Sequence, residues 1–117
     1  MMIQTKVGVP IDAVVLNNYF RALINLFFKI LPIWESGEST LETYMRSLQA
    51  ELLGCKELID VIHDDHLFLS LISILQYLID NPSLEVSTVK REIFRAISIC
   101  NKLKARYAVP PDKGVAQ

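Results

Sequence analysis

The densest group of side chains that could do chemistry lies at residues 60–66, with the sequence DVIHDDH. It places two imidazoles three residues apart and three carboxylates beside them. Histidine and carboxylate groups are ligands for first-row transition metals, so His63 and His66 are the candidate metal ligands. These are the only two histidines of the chain, so further ligands would have to come from acidic residues on another element. We favour the structural alternative, a polar junction between two helices, and expect no metal and no cofactor.

The two cysteines, Cys55 and Cys100, are the other candidate reactive groups. Each falls on the apolar face of a predicted helix, where burial raises the thiol pKa and blocks access. The sequence has neither a G-x-S-x-G elbow nor a glycine-rich phosphate loop. We therefore predict that the chain is not an enzyme. The N-terminus lacks the basic and apolar regions of a signal peptide, so we expect a cytoplasmic protein with reduced thiols.

A basic ridge follows the last predicted helix, where four cations fall within roughly 60° of one another on a helical wheel. These residues are Arg91, Arg95, Lys102 and Arg106. They are candidates for binding nucleic acid or an acidic partner. The net charge of the chain is −1, which provides no overall attraction to polyanions. Cations late in a helix also suit the helix dipole, so we favour a solvated face and keep nucleic-acid binding as the alternative.

Apolar periodicity predicts four helices and no strand of useful length. The first helix starts near residue 11 and is kinked or ended by Pro32. The second starts at a capping box formed by Ser39 and Glu42 and ends near His63. The third is capped by Asp64 or Asp65, and the fourth runs from about Ser87 to Tyr107.

The third predicted helix contains an uncharged run, residues 67–79, that is too short to span a bilayer. We interpret it as a central buried helix that stops at Asn81 and Pro82. With short connections, four such helices predict an all-α fold, a small antiparallel four-helix bundle that dimerisation could complete. We expect an irregular lead-in at residues 1–10, one domain at 11–108 and a flexible tail at 109–117.

The first helix carries a wider apolar arc than one helix-on-helix contact needs. The candidate interface residues on this arc are Tyr19, Phe20, Phe27, Phe28, Ile33 and Trp34. Surplus apolar surface on a small domain is typical of an interaction site, and a homodimer is the commonest solution. The alternative, that the arc is absorbed by the core of a single chain, stays open. We expect no membrane partner, because the polar edge of this helix is mostly asparagine.

Taken together, these patterns predict a small cytosolic helical protein that acts by protein–protein contact. We expect a homo-oligomer or an accessory subunit, of the kind common among bacterial accessory proteins. The sequence resembles no characterised family.

Overall fold

The computed structural model describes residues 2–3, 11–37 and 39–107. The helices in these ranges are α1 (Ala13–Phe28), α2 (Ile30–Ser36), α3 (Leu41–Leu58), α4 (Asp60–His63), α5 (His66–Asp80) and α6 (Val86–Arg106). Two short strands, β1 (Met2–Ile3) and β2 (Ile11–Asp12), pair antiparallel with Met2 opposite Asp12. The first helix therefore begins at Ala13, slightly later than expected. The predicted tail at 109–117, and the predicted lead-in apart from residues 2–3, lie outside the described residues.

The helices form four antiparallel segments: α1 with α2, α3 with α4, α5, and α6. α1 packs against α6, α6 against α5, and α5 against α3, while α2 contacts both α3 and α6. Side-chain hydrogen bonds join neighbouring segments. Gln49 Nε2 on α3, for example, donates to Gln76 Oε1 on α5 over 2.9 Å. The predicted all-α four-helix bundle is confirmed.

The first segment is interrupted at Lys29, between α1 and α2. Pro32 explains the position of the break, because its ring clashes with the carbonyl four residues earlier and it has no amide hydrogen to donate there. That carbonyl belongs to Phe28, the last residue of α1. The predicted kink thus occurs one turn before Pro32, and Pro32 itself lies in the first turn of α2. Gly37 ends α2 in the left-handed conformation, with φ at 68°.

The second predicted helix needs two corrections. The capping box at Ser39 and Glu42 is wrong, because α3 has Thr40 as its N-cap and Glu42 pairs with Arg46 at 2.8 Å. The helix also does not continue to His63. It breaks at Ile59, whose backbone is extended and whose side chain is buried, and α4 follows as one short turn.

The start and end of α5 agree with the sequence analysis. The Asp65 carboxylate accepts hydrogen bonds from the amides of Leu67 at 2.9 Å and Phe68 at 3.4 Å, which caps the helix. The helix ends at Asp80, immediately before Asn81 and Pro82. The last helix begins one residue before the predicted Ser87, and its N-cap is Glu85.

Gly54 offers a direct test of helix stability in α3. A Cβ placed on it would meet no atom within 4 Å among the described residues. We expect Gly54→Ala to raise the free energy of unfolding by about 0.5–1 kcal/mol, because alanine restricts the unfolded chain and favours the helix. As a control, Gly37→Ala should lower it by about 1–2 kcal/mol, since φ is 68° there. Urea unfolding measures both. A destabilised Gly54→Ala variant would mean that this position needs glycine for a close approach.

Candidate protein-interaction surface

Three of the predicted interface residues belong to the core of the single chain. Phe20 and Phe27 have no exposed surface and Trp34 is 9% exposed. The Phe20 ring contacts that of Phe68 on α5, with ring centroids 6.3 Å apart, and stacks on Tyr107 at 5.8 Å. For these three residues the prediction of spare surface is wrong. The reason is that α1 and α2 pack on several neighbours, which takes up most of the wide apolar arc.

Phe28 is the predicted interface residue that remains on the surface, with 41% of it exposed. Its ring meets that of Phe94 on α6 edge to face, with centroids 6.0 Å apart and an interplanar angle of 83°. Phe94 is 47% exposed, and the Lys90 ammonium lies 6.0 Å from the centre of its ring. We call Phe28, Lys90 and Phe94 the aromatic patch. Tyr19 and Ile33 are partly buried.

The register of α1 and α2 against α6 positions this patch. On one side of it, Asn17 Nδ2 donates to the Lys104 carbonyl over 2.7 Å. On the other side, Trp34 Nε1 donates to the Leu84 carbonyl over 3.3 Å. Both bonds join side chains to backbone, so they resist sliding of one helix along the other. The break after Phe28 also leaves that residue at the end of α1.

Phe94 was missed by the sequence analysis, although a signal for it exists. On a helical wheel it falls nearly opposite the core residues Val89 and Ala96. A large aromatic residue in the middle of a polar helical face is not needed by the core. That position alone would have indicated an exposed apolar group.

The predicted basic ridge is exposed, but most of it is already paired. Arg95 Nη1 lies 3.0 Å and Arg91 Nε 3.6 Å from the carboxylate of Glu92, whose side chain is 11% exposed. Arg106 pairs with Asp65, the N-cap residue of α5. Lys102 has no ion-pair partner among the described residues. The ridge therefore presents less net positive charge than its sequence indicates.

Asp65 is the centre of a polar junction that ties α5 to the end of α6. Its side chain, 4% exposed, accepts hydrogen bonds from Arg106 and, over 3.2 Å, from the Tyr107 hydroxyl. Burial raises the pKa of Asp65, but hydrogen bonds from Arg106, the Leu67 amide and Tyr107 outweigh it and hold the pKa below its usual range. Burial raises the pKa of Tyr107. Both oxygens of the Asp65 carboxylate already accept hydrogen bonds from within the chain. We therefore interpret this junction as structural.

Among the side chains that the structure describes, no ligand set surrounds the candidate metal residues. His63 Nδ1 lies 3.2 Å from the Lys56 carbonyl, and His66 is exposed at the start of α5. Within the described part of the chain, no group of three or more histidine, cysteine or acidic residues could hold a metal ion.

Cys100 is buried in the core, and Cys55 is half-buried against it. Burial raises the pKa of Cys55 to about 11 and that of Cys100 to about 12. Both are free cysteines. Because the thiolate is the nucleophile, neither cysteine is activated at neutral pH.

A cleft of about 340 Å³ between α5 and α6 also brings polar groups together. Its lining residues are Ser73, Ile74, Tyr77, Glu92 and Arg95. Glu92, the acidic residue of this cleft, already forms an ion pair with Arg95. The lining contains no imidazole or thiol, so these residues do not supply an activated nucleophile.

Tyr19 carries a polar group that its surroundings do not satisfy. Its hydroxyl is buried and makes no hydrogen bond of good geometry among the described residues, its polar neighbour being the Cys55 thiol, which is a weak acceptor; burial raises the pKa of Tyr19 well above the usual value. We expect Tyr19→Phe to leave the free energy of unfolding unchanged or to raise it by about 1 kcal/mol. In the matched control Tyr44→Phe, the lost hydroxyl donates to the Leu26 carbonyl over 2.7 Å. That variant should lose about 1 kcal/mol. Equal losses in the two variants would show that Tyr19 has a partner after all.

Within the described ranges, one helical stretch, Val14–Ser36, is long and apolar enough to cross a bilayer by length and composition alone, with a mean hydropathy of 1.3. The core helix of a soluble protein and a signal sequence near the N-terminus both meet these criteria, and this stretch supplies Phe20, Phe27 and Trp34 to the bundle core. The expectation of no membrane partner stays a prediction.

Comparison of the chain with protein-family models, with curated proteins and with solved structures finds no match.

Proposed function

We propose that this chain is a small, non-catalytic, cytoplasmic protein that works by protein–protein contact, as a homo-oligomer or as an accessory subunit. The observation that carries the proposal is the aromatic patch. Phe28 and Phe94 come from two different helices, and each keeps more than 40% of its surface exposed. Aromatic side chains dominate the binding energy of protein interfaces, where they are buried by the partner.

The packing within the patch supports this proposal. The two rings already contact each other edge to face, so little side-chain freedom is left to lose when a partner covers them. Lys90 extends over the Phe94 ring and gives the apolar centre a charged border. An apolar centre with a polar rim is the usual anatomy of an interface.

Nucleic-acid binding by the basic ridge is less well supported. Arg91 and Arg95 share the carboxylate of Glu92, and Arg106 is held by Asp65. A phosphate backbone would have to compete with these carboxylates for the same guanidinium groups. Affinity for nucleic acid depends on the number of phosphates that free cations can neutralise.

Site-specific photo-crosslinking tests the proposal in the cells that produce the protein. A photoreactive phenylalanine analogue replaces Phe94, and the control carries it at Leu53, which is 44% exposed on α3. We expect position 94 to give a discrete adduct that the control does not form. Mass spectrometry of the adduct then distinguishes a second copy from another protein. No discrete adduct at position 94, or the same adducts at both positions, would contradict the proposal.

A further inference from the structure

We propose that the aromatic patch binds an acidic amphipathic helix of another protein, an inference that rests on the function proposed above. The apolar side of such a helix would cover Phe28 and Phe94. Its flanking carboxylates would face the cations on the outer side of α6. Charge complementarity identifies this partner.

The charges of the chain are strongly segregated. Residues Val86–Arg106 contain six basic residues and one acidic residue, which gives α6 a net charge of +5. The whole chain has a net charge of −1, so the rest of it is acidic. The one acid of α6, Glu92, is 8% exposed and faces α5. The outward side of α6 therefore carries cations and no carboxylate.

Two of these cations border the aromatic patch directly. Lys90 and Arg91 lie one turn before Phe94, on either side of it on a helical wheel. Lys90 has no ion-pair partner among the described residues. Arg91 is 71% exposed at its side chain and reaches Glu92 only at 3.6 Å. Lys90 can donate to a partner's carboxylate without losing an ion pair, whereas Arg91 would exchange its long contact with Glu92 for the new one.

A second copy of this chain fits the patch less well. A two-fold axis through the patch would bring Lys90 and Arg91 towards the same residues of the other copy, and like charges placed together oppose association. Three exposed acids of the described residues, Glu42, Glu51 and Glu57, lie on α3. Glu42 and Glu57 are already paired with Arg46 and Lys56. The exposed Leu53 and Leu58 of α3 lie near Glu51 and Glu57, but Glu57 is paired with Lys56, so this face offers a second copy fewer free carboxylates than an acidic helix would.

A nucleic acid also fits less well than an acidic helix. Binding of single strands relies on bases stacked on aromatic faces and on a track of free cations. Here the two rings meet edge to face, Lys90 lies over one face of Phe94, and most arginines of α6 are paired. An amphipathic helix needs only an apolar anchor and a few flanking contacts, which this surface provides.

Selection from a displayed library of random helical peptides tests the chemistry of the partner without choosing it in advance. The full chain is the bait. Peptides that bind a Phe28→Ser/Phe94→Ser variant equally well are removed. We expect the remaining peptides to be enriched in Asp and Glu beside an apolar stripe. Their affinity, measured by fluorescence anisotropy, should fall about thirtyfold in Phe94→Ser and in Lys90→Glu/Arg91→Glu.

Two controls separate loss of binding from loss of folding. Leu53→Ser removes a comparably exposed apolar side chain, and Arg46→Glu reverses a charge on the same helix α3; both should bind the peptides as the wild type does. Selected peptides that are neutral or basic, or that bind Lys90→Glu/Arg91→Glu unchanged, would overturn the inference. The inference would also be overturned if the library yields no peptide whose binding depends on the aromatic patch. If no acidic peptide binds but a single-stranded oligonucleotide binds through Lys90 and Arg91, the partner is a nucleic acid and the inference is overturned.

The outcome of this selection is distinguishable from that of the crosslinking experiment. Crosslinking at position 94 without acidic peptides leaves the proposed contact surface standing and removes only the acidic partner. A crosslinked adduct identified as a second copy likewise contradicts the acidic partner alone. Absence of a crosslink at position 94 removes the contact surface itself.

Discussion

Phe20→Ala will lower the free energy of unfolding by about 3–5 kcal/mol, the usual cost of removing a fully buried phenylalanine. Phe20 has no exposed surface and contacts Tyr19, Phe68 and Tyr107. Alanine would leave a cavity where α1, α5 and the end of α6 meet. Because small domains are stable by only about 5–15 kcal/mol, the loss is a large part of the total. Urea unfolding followed by circular dichroism measures it.

Phe28→Ala is the matched control, since it removes the same side chain from the aromatic patch. Phe28 is 41% exposed and contacts Phe94 at its edge, so we expect a loss of about 1 kcal/mol. The comparison tests whether Phe20 belongs to the core and Phe28 to the surface, as in the structure. Similar losses in Phe20→Ala and Phe28→Ala would contradict the division between core and surface.

Asp65→Ala will lower the free energy of unfolding at neutral pH by about 2–3 kcal/mol. The substitution removes the N-cap of α5 and the acceptor for Arg106 and Tyr107 in one step. The Tyr107 hydroxyl would also lose its hydrogen bond to this carboxylate. Asp65→Asn should lose less than Asp65→Ala, because asparagine is an equally good cap but carries no charge.

The pH dependence separates the charge of Asp65 from its capping role. The folded-state pKa of Asp65 is lower than in the unfolded chain, so its charge stabilises the fold above the unfolded value of about 3.9. That contribution is lost as the pH falls through the folded-state pKa. Wild type and Asp65→Asn should therefore differ at neutral pH and converge in acid. A constant difference between their unfolding free energies across this range would contradict the ion pair.

Local signals in the sequence were sufficient for α5. The cap at Asp65 and the stop at Asn81 and Pro82 each act on the backbone within a few residues, so they can be read without knowing the fold. The start of α3 was harder, because Ser39 and Thr40 are both good caps. Whether Glu42 turns back to the cap or forward to Arg46 depends on a small difference in free energy.

The apolar arc of α1 shows where periodicity stops being informative. A helical wheel tells which side of Phe20 and Phe27 is apolar, but not how many neighbours cover that side. The pairing of Arg106 with Asp65 spans 41 positions and depends on the fold. The pairing of Arg95 with Glu92, by contrast, follows the i,i+3 spacing and could have been predicted.

The measurement that tests the central claim most directly is the apparent mass of the protein in native extracts of the cells that produce it. The chain is compared with Phe28→Ser/Phe94→Ser and with Leu53→Ser by size-exclusion chromatography. We predict that the wild type and Leu53→Ser elute in a complex larger than one chain, and that the double variant elutes as a folded monomer. Wild type eluting as a monomer, or the double variant remaining in the same complex, would contradict a contact surface at the aromatic patch.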